Sequence, residues 1–194
     1  MTAMRGSRLA FLHGDRRTSE FLDWQPWLEK AARLVGKFDR ELYDDPFSYN
    51  ETASVSLLAS AATQAGYLAL AEFIVWKGHK ADRRMNAAGR CDLWIYAERK
   101  TYALEFKQSV PLAVTEARWT ASMNAARQAA KYLRADEADE RVAALVVSLW
   151  QLDDDDLDDA RETLTALAER CDFAWHIQRK DGEASDTFLY FDVM

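Results

Sequence analysis

Apolar side chains recur at helical spacing over 19–40, where Phe21, Trp24, Trp27, Leu28, Ala31, Ala32, Leu34 and Val35 alternate with charged groups. That period predicts an amphipathic helix, with Ser19 placed to cap it and Pro26 to kink it or mark a later start. After the turn signal Asp44-Asp45-Pro46, a second stripe of Val55, Leu58, Ala59 and Ala62 predicts another helix. Ser48 and Glu51 are spaced as a capping box, and Gly66 is a stop. The run 67–76 is rich in Phe, Ile, Val and Trp and reads as a strand, with continued helix as the alternative. Polar, basic 77–90 reads as a loop.

Strands are predicted over 91–96 and 101–107, a helix over 115–134 and a buried strand over 142–150. A further helix covers 153–170. Its opening run, Asp153 to Asp156, suits the positive end of a helix dipole better than a metal cluster. Strands over 173–178 and 187–193 would close as a hairpin turning near Asp181-Gly182. The order is that of an α/β protein: a single domain over 1–194, with a core at 48–150, an N-terminal helical extension at 1–47 and a C-terminal helix and hairpin at 151–194.

If the turn between 91–96 and 101–107 centres on Glu98-Arg99, Asp92 lies opposite Glu105, Leu93 opposite Leu104, Trp94 opposite Ala103 and Ile95 opposite Tyr102. One face then carries Cys91, Leu93, Ile95, Tyr102, Leu104 and Phe106, all apolar or aromatic. The other carries Asp92, Trp94, Tyr96, Thr101, Ala103, Glu105 and Lys107. A slip of one residue would destroy this separation, so the pattern supports its own register. Two facing carboxylates destabilise a sheet unless a divalent cation lies between them. Mg²⁺ or Mn²⁺ is the ion expected, since such a cation takes one or two carboxylates and completes its shell with water and phosphate. Lys107 stands one step along the same face, where an ammonium could position water or offset charge on a transition state.

Three segments carry a family resemblance. Gly89-Arg90-Cys91-Asp92-Leu93 resembles a G-x-x-D strand start, Glu105-Phe106-Lys107 an E-x-K, and Gln128-Ala129-Ala130-Lys131-Tyr132 a Q-x-x-x-Y helix motif. Together they resemble the PD-(D/E)xK phosphodiesterases, the restriction endonuclease-like superfamily, in its lambda-exonuclease and RecB-like branch. The resemblance covers about half the chain. It implies an αβββαβ core with a mixed sheet flanked by helices, and metal-dependent hydrolysis of phosphodiester bonds in DNA or RNA. Asp92, Glu105 and Lys107 would be catalytic, with Gln128 and Tyr132 near substrate. Asp92 and Glu105 would hold the metal with a glutamate from the preceding helix. Glu51 is preferred for that place, with Glu72 the alternative. A non-catalytic accessory or binding protein on the same fold is the rival, and an unrelated α/β interaction domain with an accidental motif is a third reading.

The net charge of −7 argues against indiscriminate nucleic-acid binding. The basic residues are locally concentrated, however. Lys77, His79, Lys80, Arg83, Arg84 and Arg90 lead into Asp92, and Arg118, Arg127, Lys131 and Arg134 fall on the later helix. Lys80, Arg83, Arg84 and Arg90 are the nucleic-acid contacts expected, DNA before RNA, with Trp94, Tyr96 and Trp119 available to stack on bases. Asn124 would share the face of Gln128. Cys91 and Cys171 form no motif and read as reduced thiols, with a disulfide as the alternative. No signal peptide or membrane span is read, which points to a soluble cytoplasmic protein, as a homodimer or in a larger complex where it associates.

Overall fold

The computed structural model describes residues 7–78, 86–179 and 186–194. Strand β1 (Ser7–His13) precedes helix α1 (Ser19–Leu42) and helix α2 (Glu51–Gln64). Strands β2 (Leu68–Gly78), β3 (Asn86–Ala97) and β4 (Lys100–Ser109) follow, then helix α3 (Glu116–Ala130) and strand β5 (Glu140–Ser148). Helix α4 (Leu157–Leu167) leads to β6 (Phe173–Arg179) and β7 (Thr187–Val193). The order from α2 to β5 is α, three strands, α, strand, as the sequence predicts. Among the described residues seven strands join one sheet in the order β1-β6-β7-β5-β4-β3-β2. The β4–β5 pair is parallel and the other neighbours are antiparallel.

Strand β5 shows why helices lie on both faces. Val142, Ala144 and Val146 join one apolar cluster, whereas Ala143, Leu145 and Val147 join another. A strand buried on both sides has to read as continuous apolar sequence, as this one does. On the first face, Trp24, Trp27 and Leu28 of α1 and Val55, Leu58 and Ala62 of α2 cover the sheet. The Trp27 indole N–H donates to Leu58 O at 2.8 Å, joining the two helices with a buried hydrogen bond. On the second face, Trp119 and Met123 of α3 pack with Leu157 and Leu164 of α4. Among the described residues no helix is long and apolar enough to cross a membrane.

Several expectations are corrected. Thr18, not Ser19, caps α1, its side chain accepting from Phe21 N–H. The helix continues through Pro26 to Leu42. Ser48 lies in a short 3-10 turn and donates to Asp45 O at 2.7 Å, so the capping box does not form. Asn50 caps α2 by accepting from Ala53 N–H at 2.9 Å, which makes Glu51 the first helical residue. Asn50 competes well for that position because a short amide reaches the free N–H groups as readily as serine does.

The segment read as a loop at 77–90 is strand at both ends, reaching Gly78 and resuming at Asn86. Strand β1 was not foreseen, because its sequence has no clean alternation; pairing with β6 is what holds it. The 153–170 helix is broken into 3-10, α and 3-10 pieces, with its aspartates exposed at the start. Both cysteines are free and buried. The turn near Asp181-Gly182 lies outside the described residues.

Leu58 is fully buried between α1 and the sheet. Leu58→Ala is expected to destabilise the fold by about 2–5 kcal/mol, read as a lower urea midpoint with an unchanged slope.

Candidate active site

The β3–β4 hairpin has the register expected from its sequence: Ala97 pairs with Lys100, Ile95 with Tyr102 and Leu93 with Leu104. The ladder then stops. Strand β3 stays with β2, pairing Cys91 with Phe73 and continuing to Asn86 with Gly78. Strand β4 stays with β5 as far as Ser109 with Val147. The sheet therefore forks at the level of Asp92 and Glu105, and the β2–β3 ribbon leaves as an arm. Glu72, opposite this point on β2, has a left-handed φ of 53°, uncommon for a residue other than glycine. The Glu72–Asp92 position is absent from an otherwise regular ladder.

Beyond the fork, the backbone edge of β4 has lost its strand partner, and buried backbone groups must find another. Phe106 N–H donates to Asp92 Oδ2 at 2.7 Å. Phe106 O accepts from Lys107 Nζ at 2.5 Å. The same ammonium lies 3.1 and 3.2 Å from the two carboxylate oxygens of Glu51. Helix α2 is pinned there by Ser54 Oγ donating to Gln108 Oε1 at 2.8 Å and Gln108 Nε2 donating to Phe47 O at 2.7 Å. These bonds bring a residue from the start of α2 to the open edge of β4. Glu72 is placed differently, 3.5 Å from Arg90 Nη1 on the arm. Of the two candidate glutamates, Glu51 is the one that meets Lys107.

Glu105 is only 4% exposed. Burial, and then the charge of Asp92, push its carboxyl up to about 7, against the opposing pull of Lys77 and Lys107. Lys77 Nζ lies 2.5 Å from Glu105 Oε1. Cys91 was expected beside Leu93 and Ile95 but packs instead with Val75, Ala103 and Leu133, so the alternation breaks at Asp92. Burial and the charge of Glu105 push its thiol up to about 12, which keeps it protonated and unreactive.

The other candidates are dispersed. Gln128 is exposed in the last turn of α3, and Tyr132 is half-buried in the turn after the helix has ended. Among the described residues neither side chain bonds to the acidic pair. Leu133, next to Tyr132, bridges to Lys77. Arg127 is held by Asp192, by Asn124 Oδ1 at 3.1 Å and by Arg170 O at 3.0 Å, a structural role that also occupies Asn124. Arg134 pairs with Asp136.

Trp119 is buried edge-on to Tyr190 and cannot stack on a base. Trp94 is half-buried, with its indole N–H donating to Glu137 O at 3.3 Å, while Tyr96 is exposed. Arg90 is exposed on the arm, and Arg118 and Lys131 are exposed on and just after α3. His79, Lys80, Arg83 and Arg84 lie outside the described residues. Lys77 was read only as part of a basic stretch. Its contact with Glu105 depends on the path of the arm, for which the sequence holds no signal beyond Gly89.

Among the described residues, no group of three or more His, Cys, Asp or Glu side chains is arranged to hold a metal ion. The oxygens near the fork are the carboxylates of Asp92 and Glu105 and the carbonyl of Phe106, groups whose chemistry would suit a hard cation that retains water. Two of these oxygens are held by ammonium groups, which marks them as oxygens that attract positive charge.

Because the Glu105 carboxyl titrates above its ordinary range, its contribution to stability is present below about pH 4.5 and is lost as pH rises through about 7. Metal-free protein is therefore expected to lose about 3 kcal/mol from this group across that window. Glu105→Gln should remove that component, seen as a flatter pH profile in urea unfolding. Asp45, whose carboxyl burial also pushes up to about 6, titrates in both proteins and cancels in the difference. Comparison with protein-family models, with curated proteins and with solved structures finds no match.

Proposed function

We propose that this chain is a metal-dependent nuclease that hydrolyses phosphodiester bonds, in DNA before RNA, with Mg²⁺ or Mn²⁺ held by Asp92 and Glu105. The observation that carries this proposal is the fork. A buried carboxylate, Glu105, is raised by the charge of Asp92 where the β3–β4 ladder ends and a backbone edge opens, with Lys107 beside them. Phe106 O, which accepts from Lys107, would be a third oxygen for the ion once that ammonium turns away. When bound, the cation would polarise a phosphate and lower the pKa of a coordinated water.

The protein groups divide the remaining work. Asp92 keeps its orientation through Phe106 N–H, which fixes one donor before any ligand arrives. Lys107 can direct its ammonium toward an attacking water or the charged phosphate, a role that needs a positioned donor more than a particular pKa. Glu51, 3.1 Å from that ammonium, orients it and serves as a positioning residue. The basic residues between Lys77 and Arg90 supply local positive charge on an acidic chain, as phosphate binding requires.

A second reading, a binding or accessory protein on the same fold, is favoured by one contact. Lys77 already neutralises Glu105 at 2.5 Å, so an internal cation could stand permanently where a metal would. Full biological function retained by Asp92→Asn would favour that reading, and metal-dependent cleavage would exclude it.

The full chain should cleave labelled single- or double-stranded DNA, or RNA, only with Mg²⁺ or Mn²⁺. Asp92→Asn, Glu105→Gln and Lys107→Met should each lower the rate by about a hundredfold or more with circular dichroism unchanged, and Glu51→Gln by less. Failure to cut any of these substrates with either ion would end the nuclease proposal.

A further inference from the structure

We propose that Lys77 is a built-in counter-ion that holds Glu105 until a divalent cation displaces its ammonium. This inference rests on the metal site proposed above and adds a residue and a competition to it. Lys77 lies on β2, in the arm beyond the fork, and its backbone bridges to Leu133 after α3. Trp76 N–H, next to it, donates to Glu137 Oε1 at 3.0 Å. The root of the lysine is therefore fixed from the α3 side.

The stem crosses Gly89. A Cβ built there would sit 2.8 Å from Lys77 Cδ and 3.0 Å from Cγ, closer than carbon atoms pack. Any side chain at 89 would push the stem aside, so the glycine keeps its path clear. The ammonium ends 2.5 Å from Glu105 Oε1, with the lysine side chain 21% and the glutamate side chain 5% exposed.

A buried carboxylate beside a second carboxylate is strongly unfavourable unless a cation meets it. In the metal-free protein Lys77 is that cation. Lys107 does not fill the place, because its ammonium is engaged by Glu51 and Phe106 O. A dication between Asp92 and Glu105 would stand within a few ångströms of the Lys77 ammonium, and like charges that close in a site of low dielectric repel. The two cations therefore compete for Glu105, and the affinity measured for metal is reduced by the ion pair it must break.

Titration of the metal-free full chain with MnCl₂ by calorimetry tests this. Lys77→Gln keeps a hydrogen-bond donor and removes the charge, and should bind Mn²⁺ about tenfold tighter or more, about 1.4 kcal/mol per factor of ten. Lys77→Arg keeps the charge and should stay near the parent value. The rise in Tm on adding Mn²⁺ should be larger for Lys77→Gln than for the parent, and Asp92→Asn should abolish the Mn²⁺ response in both backgrounds.

If Lys77→Met unfolds without metal, refolding on addition of Mn²⁺ supports the inference, whereas a Lys77→Gln chain that folds neither with nor without Mn²⁺ makes Lys77 structural and overturns it. Equal or weaker Mn²⁺ binding by Lys77→Gln overturns the displacement while leaving the metal site standing. Absence of Mn²⁺ binding in every variant removes both.

Discussion

The site depends on one unmet backbone need. Where β3 leaves β4, Phe106 keeps its N–H and C=O at an edge with no strand beside it, and neither can be left unbonded at low cost. A carboxylate meets the N–H and an ammonium meets the carbonyl. The fork therefore recruits charged side chains for structural reasons, and in doing so fixes Asp92 and Lys107 on the two successive peptide groups of Phe106. Functional geometry comes from the same bonds that make the broken ladder tolerable.

Charge then organises the surroundings in layers. Glu105 is the most strongly constrained group, buried and raised by the charge of Asp92. Lys77 and Lys107 approach it from different elements, β2 and β4, and Glu51 from α2 balances the second lysine. An exposed version of this cluster would be worth little, because water screens such pairs. Partial burial is what lets five side chains depend on one another, and what makes the arm, through Lys77, part of the same electrostatic unit as the sheet.

The hairpin was the most legible feature. Its mirror register, from Ala97 with Lys100 to Leu93 with Leu104, follows from alternation because one face had to be wholly apolar. The order of elements from α2 to β5 was equally readable, since long periodic segments declare themselves. Local cap chemistry was less so. The Ser48–Glu51 spacing pointed to a capping box, whereas in the folded chain Ser48 is taken up in a 3-10 turn and Asn50 caps α2. The end of the later helix was also less readable: α3 stops at Ala130, and the turn after it, which carries Tyr132, is drawn toward Lys77 through Leu133.

The amino-acid sequence by itself determined which residues alternate, which strands pair locally and which acids can face each other, because these follow from periods of 2 and 3.6 and from short turns. Only the tertiary structure decided that the ladder breaks at Asp92, that Glu51 rather than Glu72 reaches Lys107, and that Lys77 crosses Gly89 to Glu105. Those outcomes depend on where distant segments pack and where the sheet twists apart. The energy of bringing a buried carboxylate to a lysine nearly thirty residues away in the chain has no signature in local pattern.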